Sequence, residues 1–272
     1  VSDTGSYVCE YDATTQQASC VLQDTRVGSN NVLGFSSDQS VDMTIINDSE
    51  NGKVFLVLVN GVNEPKYFEV SEAKLLPAST FLLEDVSLIK SPPIDSPQIT
   101  LSDTGTEENY IEDKFYSFAY RYIYSNNEAS ALSPFSDFAF FPETFKYDYD
   151  AGENKSMKNV YNKITVSVNT GSSRVKEIEV IAKKSGESTY YIVEKIDKAD
   201  QGLSDNATKT FDFKENKIYR ALSVEQTTRV YDNVPTSAYS VETIGNRLVF
   251  GNYTEGYDMV NGSDKIVPDL DL

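Results

Sequence analysis

Phe115-Tyr-Ser-Phe-Ala-Tyr-Arg-Tyr-Ile-Tyr124 decides how this chain folds. Tyr116, Phe118, Tyr120, Tyr122 and Tyr124 recur at every second residue, so an extended strand points all five to one face. Ser117, Ala119, Arg121 and Ile123 point to the other. Aromatic side chains suit the pleated, half-buried surface of a sheet. Five in a row read as the core of a β-sandwich, with the phenol groups reaching the rim for hydrogen bonds. A stacking platform for sugars is the alternative, and core is preferred.

Working outward, strand signals continue on both sides. Asn126-Asn-Glu128 reads as a turn and Ser133-Pro-Phe-Ser136 as an edge or bulge. Residues 163–169 alternate, with Ile164, Val166 and Val168 on one face, and 175–183, 189–196 and 209–213 follow as further strands. Strands at this spacing describe a sandwich. On the other side, Ser91-Pro-Pro-Ile-Asp-Ser-Pro97 holds three of the nine prolines, which resist both helix and central strand. It marks a domain boundary. Before it, 41–46 reads as a strand, Asn51-Gly52 as a hairpin turn, and Lys53-Val-Phe-Leu-Val-Leu-Val59 as a strand apolar on both faces, hence central and covered. Asn60-Gly61 turns the chain again before a short strand at 65–70, and 71–76 can form one or two helical turns before Pro77. After Lys214 the pattern loosens. Asn246-Arg-Leu-Val-Phe250 is one more strand, followed by a tail rich in Asn, Gly and Asp.

The expected fold is all-β in three segments: a β-meander over 1–90, a sandwich over 91–216, and a return segment over 217–272 that completes the first β-domain. The return segment is too small to stand alone, and an isolated strand would leave backbone edges unpaired. Phe135, Phe138, Phe140 and Phe141 fit either a patch for a neighbouring subunit or ordinary core, and sequence leaves both open.

The chain has 272 residues, enough to bury a core without disulfide or metal. It has no histidine. That removes Ser-His-Asp and Cys-His nucleophile systems and the His-Glu-x-x-His zinc site. The Gly-x-Gly-x-x-Gly loop is missing, and where Gly251 and Gly256 have phosphate-loop spacing, Tyr257 replaces the required lysine. Two carboxylates in a cleft suffice for glycoside hydrolysis, but 42 acidic residues select no pair. Asp148, Asp150, Glu153 and Asn154 cluster around Gly152. The glycine comes too early for an EF-hand, so a flexible acidic loop is preferred over a calcium site. Cys9 and Cys20 can face each other across a hairpin turning at 12–19, which leaves a disulfide open. A metal there would need two more ligands in a chain without histidine. No catalytic, cofactor-binding or metal-ligating residue is expected, no cofactor, and no enzymatic activity.

Lys and Arg number 24 against 42 Asp and Glu, a net charge of −18. Such a balance disfavours the outside of a nucleic-acid duplex and an anionic membrane. It is uneven: residues 1–113 hold 19 acidic and 5 basic side chains, net −14, and residues 114–272 hold 23 and 19, net −4. The longest strongly apolar run, at 54–59, is far short of the roughly 18 residues of a membrane span. Val1 rather than Met opens the chain, so a longer parent protein is expected.

Three segments carry a resemblance. They are Asn60-Gly-Val-Asn-Glu-Pro-Lys-Tyr-Phe-Glu-Val70, then Phe115-Tyr-Ser-Phe-Ala-Tyr-Arg-Tyr-Ile-Tyr-Ser-Asn-Asn-Glu-Ala-Ser-Ala-Leu-Ser-Pro-Phe-Ser136, then Tyr231-Asp-Asn-Val-Pro-Thr-Ser-Ala-Tyr-Ser-Val-Glu-Thr-Ile-Gly-Asn-Arg-Leu-Val-Phe-Gly-Asn-Tyr-Thr-Glu-Gly-Tyr-Asp258. In this order the chain resembles the tail nozzle, hub or "stabilisation" proteins of short-tailed phages, closest to the muzzle proteins of crAss-like phages. The resemblance implies a β-propeller-like body interrupted by an inserted fibronectin type III-like sandwich. It implies a virion protein of the tail, assembled with its own copies in a ring, commonly sixfold, beside other tail proteins. DNA would leave through that ring without specific binding, and the acidic residues of 1–113 would then form a wall that repels phosphate. The rival expectation is a cell-surface adhesin or carbohydrate-binding module, and a third is a carboxylate glycosidase acting on a host capsule.

Overall fold

In a computed structural model, residues 5–78, 80–105, 107–227, 234–245, 247–255, 260–261 and 264–265 are described. The fold is all-β, built from antiparallel sheets, none of which closes on itself among the described residues. The chain divides into two units. One holds the described residues of Val1–Ile89 and Asn233–Leu272, the other those of Lys90–Asp232.

In the first unit, β1 (Ser6–Asp12) and β2 (Gln17–Asp24) form a hairpin. β3 (Asp42–Asp48), β4 (Lys53–Val59) and β5 (Lys66–Glu69) follow as a meander with β4 in the centre. The β3–β4 turn is fixed locally: the Asp48 carboxylate accepts the Glu50 and Asn51 amides at 3.1 and 3.2 Å, and Gly52 takes the left-handed φ of +67° that glycine adopts without strain. Two single-turn helices come next, α1 (Val70–Ala73) and α2 (Leu83–Val86). The Glu69 carboxylate caps α1 by accepting the amides of Ser71 and Glu72, satisfying donors that a helix start leaves open. Leu56 and Leu58 of β4 share a core with Val21, Leu22, Phe68, Phe81 and Val86. Asp24, fully buried, is held there by Arg26 (2.7 Å) and the Val32 amide (2.7 Å), and Arg26 in turn lies over the Phe81 ring.

The second unit contains β6 (Gln98–Ser102), β7 (Tyr116–Tyr124), the small hairpin β8 (Tyr147–Asp148) and β9 (Glu153–Asn154), β10 (Lys163–Asn169), β11 (Val175–Lys184), β12 (Tyr190–Asp197), β13 (Thr208–Phe213), β14 (Arg220–Ala221) and the single turn α3 (Val224–Thr227). A three-stranded sheet, β13-β10-β6, and a four-stranded sheet, β14-β12-β11-β7, enclose one core. The aromatic face of β7 points into it. Tyr116 and Phe118 meet Phe213 edge-on at 5.0 and 5.3 Å between ring centroids, and the Tyr124 hydroxyl reaches the rim and donates to the Ser91 carbonyl at 2.8 Å. The opposite face is also covered: Ser117, Ala119 and Arg121 are buried. Because β14 pairs with β12, the sandwich runs past residue 216, where the sequence pattern loosens. A two-residue strand is too short to leave a periodicity.

A serine ladder covers the free edge of β7. After a turn at 125–128, Ser130, Ser133 and Ser136 donate their amides to the carbonyls of Tyr122, Tyr120 and Phe118 at 2.9, 2.8 and 2.7 Å. Their hydroxyls accept the amides of the same three residues at 3.1, 3.0 and 3.0 Å. Each hydroxyl also donates to the next carbonyl along, that of Ala131, Pro134 or Asp137. A three-residue period thus matches the two-residue period of a strand, with side chains supplying the acceptors that a regular strand would take from its backbone.

The chain then returns to the first unit as the hairpin β15 (Ser237–Ile244) and β16 (Arg247–Thr254), with a two-residue pair β17 (Val260–Asn261) and β18 (Asp264–Lys265) after it. Ala238 and Val241 of β15 pack on Val57 and Val59, so β4 is covered on both faces. Asp42 accepts the Val241 amide at 3.0 Å, and the Thr44 and Thr243 hydroxyls meet at 3.1 Å. Among the described residues no helix is long and apolar enough to cross a membrane.

Burial pushes the phenols of Tyr116, Tyr120 and Tyr122 above the ordinary tyrosine range, helped at Tyr116 by its hydrogen bond to Glu215. Raised folded-state values mean that these groups contribute full stability below about pH 10 and lose it as the pH climbs beyond. The expected result is a phenolate absorbance titration in which the ionisation of these three coincides with loss of the β-type circular dichroism. Free titration of all 18 tyrosines in an intact fold would refute it.

Candidate functional site: a cleft in the sandwich

Segment 214–219 crosses from β13 of one sheet to β14 of the other, and beneath it the sandwich opens into a cleft of about 290 Å³. The floor is apolar, from Ala182, Val193 and Phe213. Tyr219 forms a wall, its ring stacked on Phe213 at 5.6 Å. The rim is charged. Lys184 Nζ lies 2.7 Å from Glu187 Oε1, and the Tyr191 hydroxyl donates to Glu187 Oε2 at 3.3 Å. Lys114 Nζ lies 2.6 Å from Glu215 Oε2. Glu215 has a left-handed φ of +54°, uncommon for a side chain of this kind. That turn brings its carboxylate back to Lys114 and the Tyr116 hydroxyl.

The Lys184 hydrogen bond holds the Glu187 carboxyl below the usual range, and Glu187 raises Lys184 in return. A glycosidase acid must carry a proton near neutral pH, which calls for a raised carboxyl. Glu187 is held the other way.

Residues singled out in the sequence fall elsewhere. Asp148 accepts the amides of Asp150 and Ala151 at 2.9 and 3.3 Å and pairs with Lys155, so it closes its own hairpin turn. Among the described residues no three Cys, Asp or Glu side chains gather as a cation site. Gly251 lies inside β16 opposite Ser240, not in a loop, while Gly256 and Tyr257 lie outside the described residues. The four phenylalanines divide: Phe140 meets Phe115 and Phe135 meets Tyr190 edge-on, whereas Phe138 and Phe141 are exposed. The cleft residues Glu187, Glu215, Tyr191 and Tyr219 were not distinguished in the sequence. The Lys184-Ser-Gly-Glu187 turn, with opposite charges three apart, is the one sequence signal that could have found any of them.

Cys9 and Cys20 are direct cross-strand partners, exposed and unbonded. Opposed residues of an antiparallel pair have Cα atoms about 4.5–5.5 Å apart, within the roughly 4.4–6.8 Å span of a disulfide. Burial raises the Cys20 thiol, and the neighbouring Cys9 adds to this, so exchange should be slow at neutral pH and quicken in alkali. Incubation with glutathione disulfide is expected to give an intramolecular bond, the two thiols giving up two hydrogens as the disulfide is reduced to two molecules of glutathione. Mass spectrometry after alkylation reads it, and persistence of two alkylatable thiols at alkaline pH would be the contrary result.

No protein-family model matches the chain, and no curated protein matches it.

Proposed function

We propose that this chain is a structural part of a bacteriophage tail, of the nozzle or muzzle type, building a ring-shaped conduit for genome ejection. The observation that carries the reading is the order of the chain: a β-unit made from both ends of the sequence, interrupted by a sandwich of two sheets. That order is what the resemblance implies for a propeller-like body with an inserted fibronectin type III-like domain. Packing adds support. β4 lies in a small antiparallel sheet with the β15–β16 hairpin against one face, and small sheets packed face to face are how propeller blades meet. In this reading the chain acts with other copies of itself and with neighbouring tail proteins in the virion. DNA passes without specific binding, past a wall drawn from the acidic side chains of 1–113, which act on phosphate within a Debye length of about 8–10 Å. Negative-stain microscopy of the full-length protein tests for the ring, and a reconstruction of that ring with side chains resolved tests its lumen. Closed rings with an acidic lumen are expected, and a monomer, or a lumen lined by Lys and Arg, would overturn it.

A further inference from the structure

We infer that the cleft beneath segment 214–219 is a binding site for a neutral sugar residue of a glycan. This goes beyond a role in the tail and does not depend on it. The volume, about 290 Å³, lies just below the roughly 300–1,000 Å³ usual for ligand pockets. It admits one ring-sized ligand and excludes a dinucleotide. The lining carries both signs, Lys184 and Lys217 beside Glu187 and Glu215, with Lys114 paired to Glu215. An anionic ligand would meet two carboxylates, and a cationic one two ammonium groups. A neutral ligand rich in hydroxyls meets no such opposition and finds donors and acceptors together.

The apolar parts complete the match. A pyranose has one face of C–H groups and an edge of hydroxyls. Tyr219, half-buried and stacked on the buried Phe213 ring, presents aromatic surface on the wall, and the Tyr191 hydroxyl and the Glu187 and Glu215 carboxylates stand at the rim. Aromatic residues with an apolar body and a polar tip suit a ligand of this mixed character. The charged groups are already oriented by their own partners, Lys184 on Glu187 and Lys114 on Glu215, so little ordering remains to be done on binding. The strained φ of Glu215 is consistent with a side chain held in place for a ligand.

The experiment uses the whole chain. Gluco-, manno- and galacto-configured hexasaccharides, the free hexoses, oligogalacturonate and chitosan oligomer are titrated calorimetrically up to about 10 mM, a range that captures millimolar affinity. Saturable binding of at least one neutral probe is expected, and equal affinity for its free hexose would mark a single-sugar site. Tyr219→Ala, which removes the aromatic wall, and the near-isosteric Glu215→Gln, which removes a charged hydrogen-bond partner, should each weaken it about tenfold or more, with circular dichroism unchanged. Tyr149→Ala, which removes a ring exposed on the β8–β9 hairpin, should leave affinity unchanged. Three outcomes overturn the proposal: no saturable binding of any neutral probe, tighter binding of either charged oligomer, or loss of binding in Tyr149→Ala with retention in Tyr219→Ala.

Discussion

Replacing Glu179 by alanine is expected to lower the unfolding free energy by about 3–5 kcal/mol, the cost of stranding a buried charge. Glu179 lies in the middle of the four-stranded sheet, cross-strand partner to Arg121 on β7 and to Lys195 on β12. Arg121 Nε and Nη2 reach Glu179 Oε2 at 2.7 and 2.6 Å, and Lys195 Nζ reaches Oε1 at 2.5 Å. Arg121 and Glu179 are both almost wholly buried, so water cannot replace the missing partner. The Gln226 side chain, 3.4 Å from Arg121 Nη2, supplies an acceptor but no charge. Denaturant unfolding reads the effect as a fall in midpoint at constant slope. A loss below about 1 kcal/mol would mean that the guanidinium escapes to solvent. The double variant Arg121→Met/Glu179→Leu should recover much of the loss, because a buried pair replaced by apolar groups is often near neutral.

The same site fixes how the fold responds to acid. Burial alone would push the Glu179 carboxyl up, but Lys195 and Arg121 outweigh it and hold the group below the usual carboxylate range. Asp24 in the first unit follows the same pattern with Arg26. Lowered folded-state values mean that this stability is complete above about pH 4.5 and is lost as the pH falls below.

The second large effect is expected from Ser130→Ala combined with Ser133→Ala. Both serines are buried. The backbone amides of 130 and 133 still pair with β7, but the amides of Tyr122 and Tyr120 lose the hydroxyls that satisfy them. An unsatisfied buried donor costs about 1–3 kcal/mol, so the pair should cost roughly 2–6 kcal/mol, less if one adjustment relieves both. Thermal unfolding measures it. Threonine at the same positions keeps the oxygen and should be milder, and equal losses in both variants would point to packing instead.

How far the residues disclosed this fold depends on periodicity. Lys53–Val59 reads as a covered central strand because apolar residues fill both of its faces, and it is one. The β7 rings read as core because five of them share a face. The strand β15 went unread: Ser237, Tyr239, Ser240 and Glu242 break its apolar pattern, and only Ala238 and Val241 are buried. Arg121 gave no sign of burial, since an arginine on a strand's second face ordinarily meets water. Its partner Glu179 stands 58 residues away. The cleft was hidden for the same reason. Its carboxylates are two among 42, and only the crossover of 214–219 brings them to the same rim.

The serine ladder also bears on the order in which the molecule forms. During synthesis β7 leaves the ribosome well before β11, its other neighbour, and an aromatic strand with two open edges is a template for association between nascent chains. The ladder directly follows a short turn, so it closes one of those edges by a local step on the hairpin timescale of about 1–10 μs. Half of the strand's pairing is then in place while the distant partner is still being made. The short loop keeps the entropic cost of that first pairing low, and nascent chains are left with a single edge of this strand to guard.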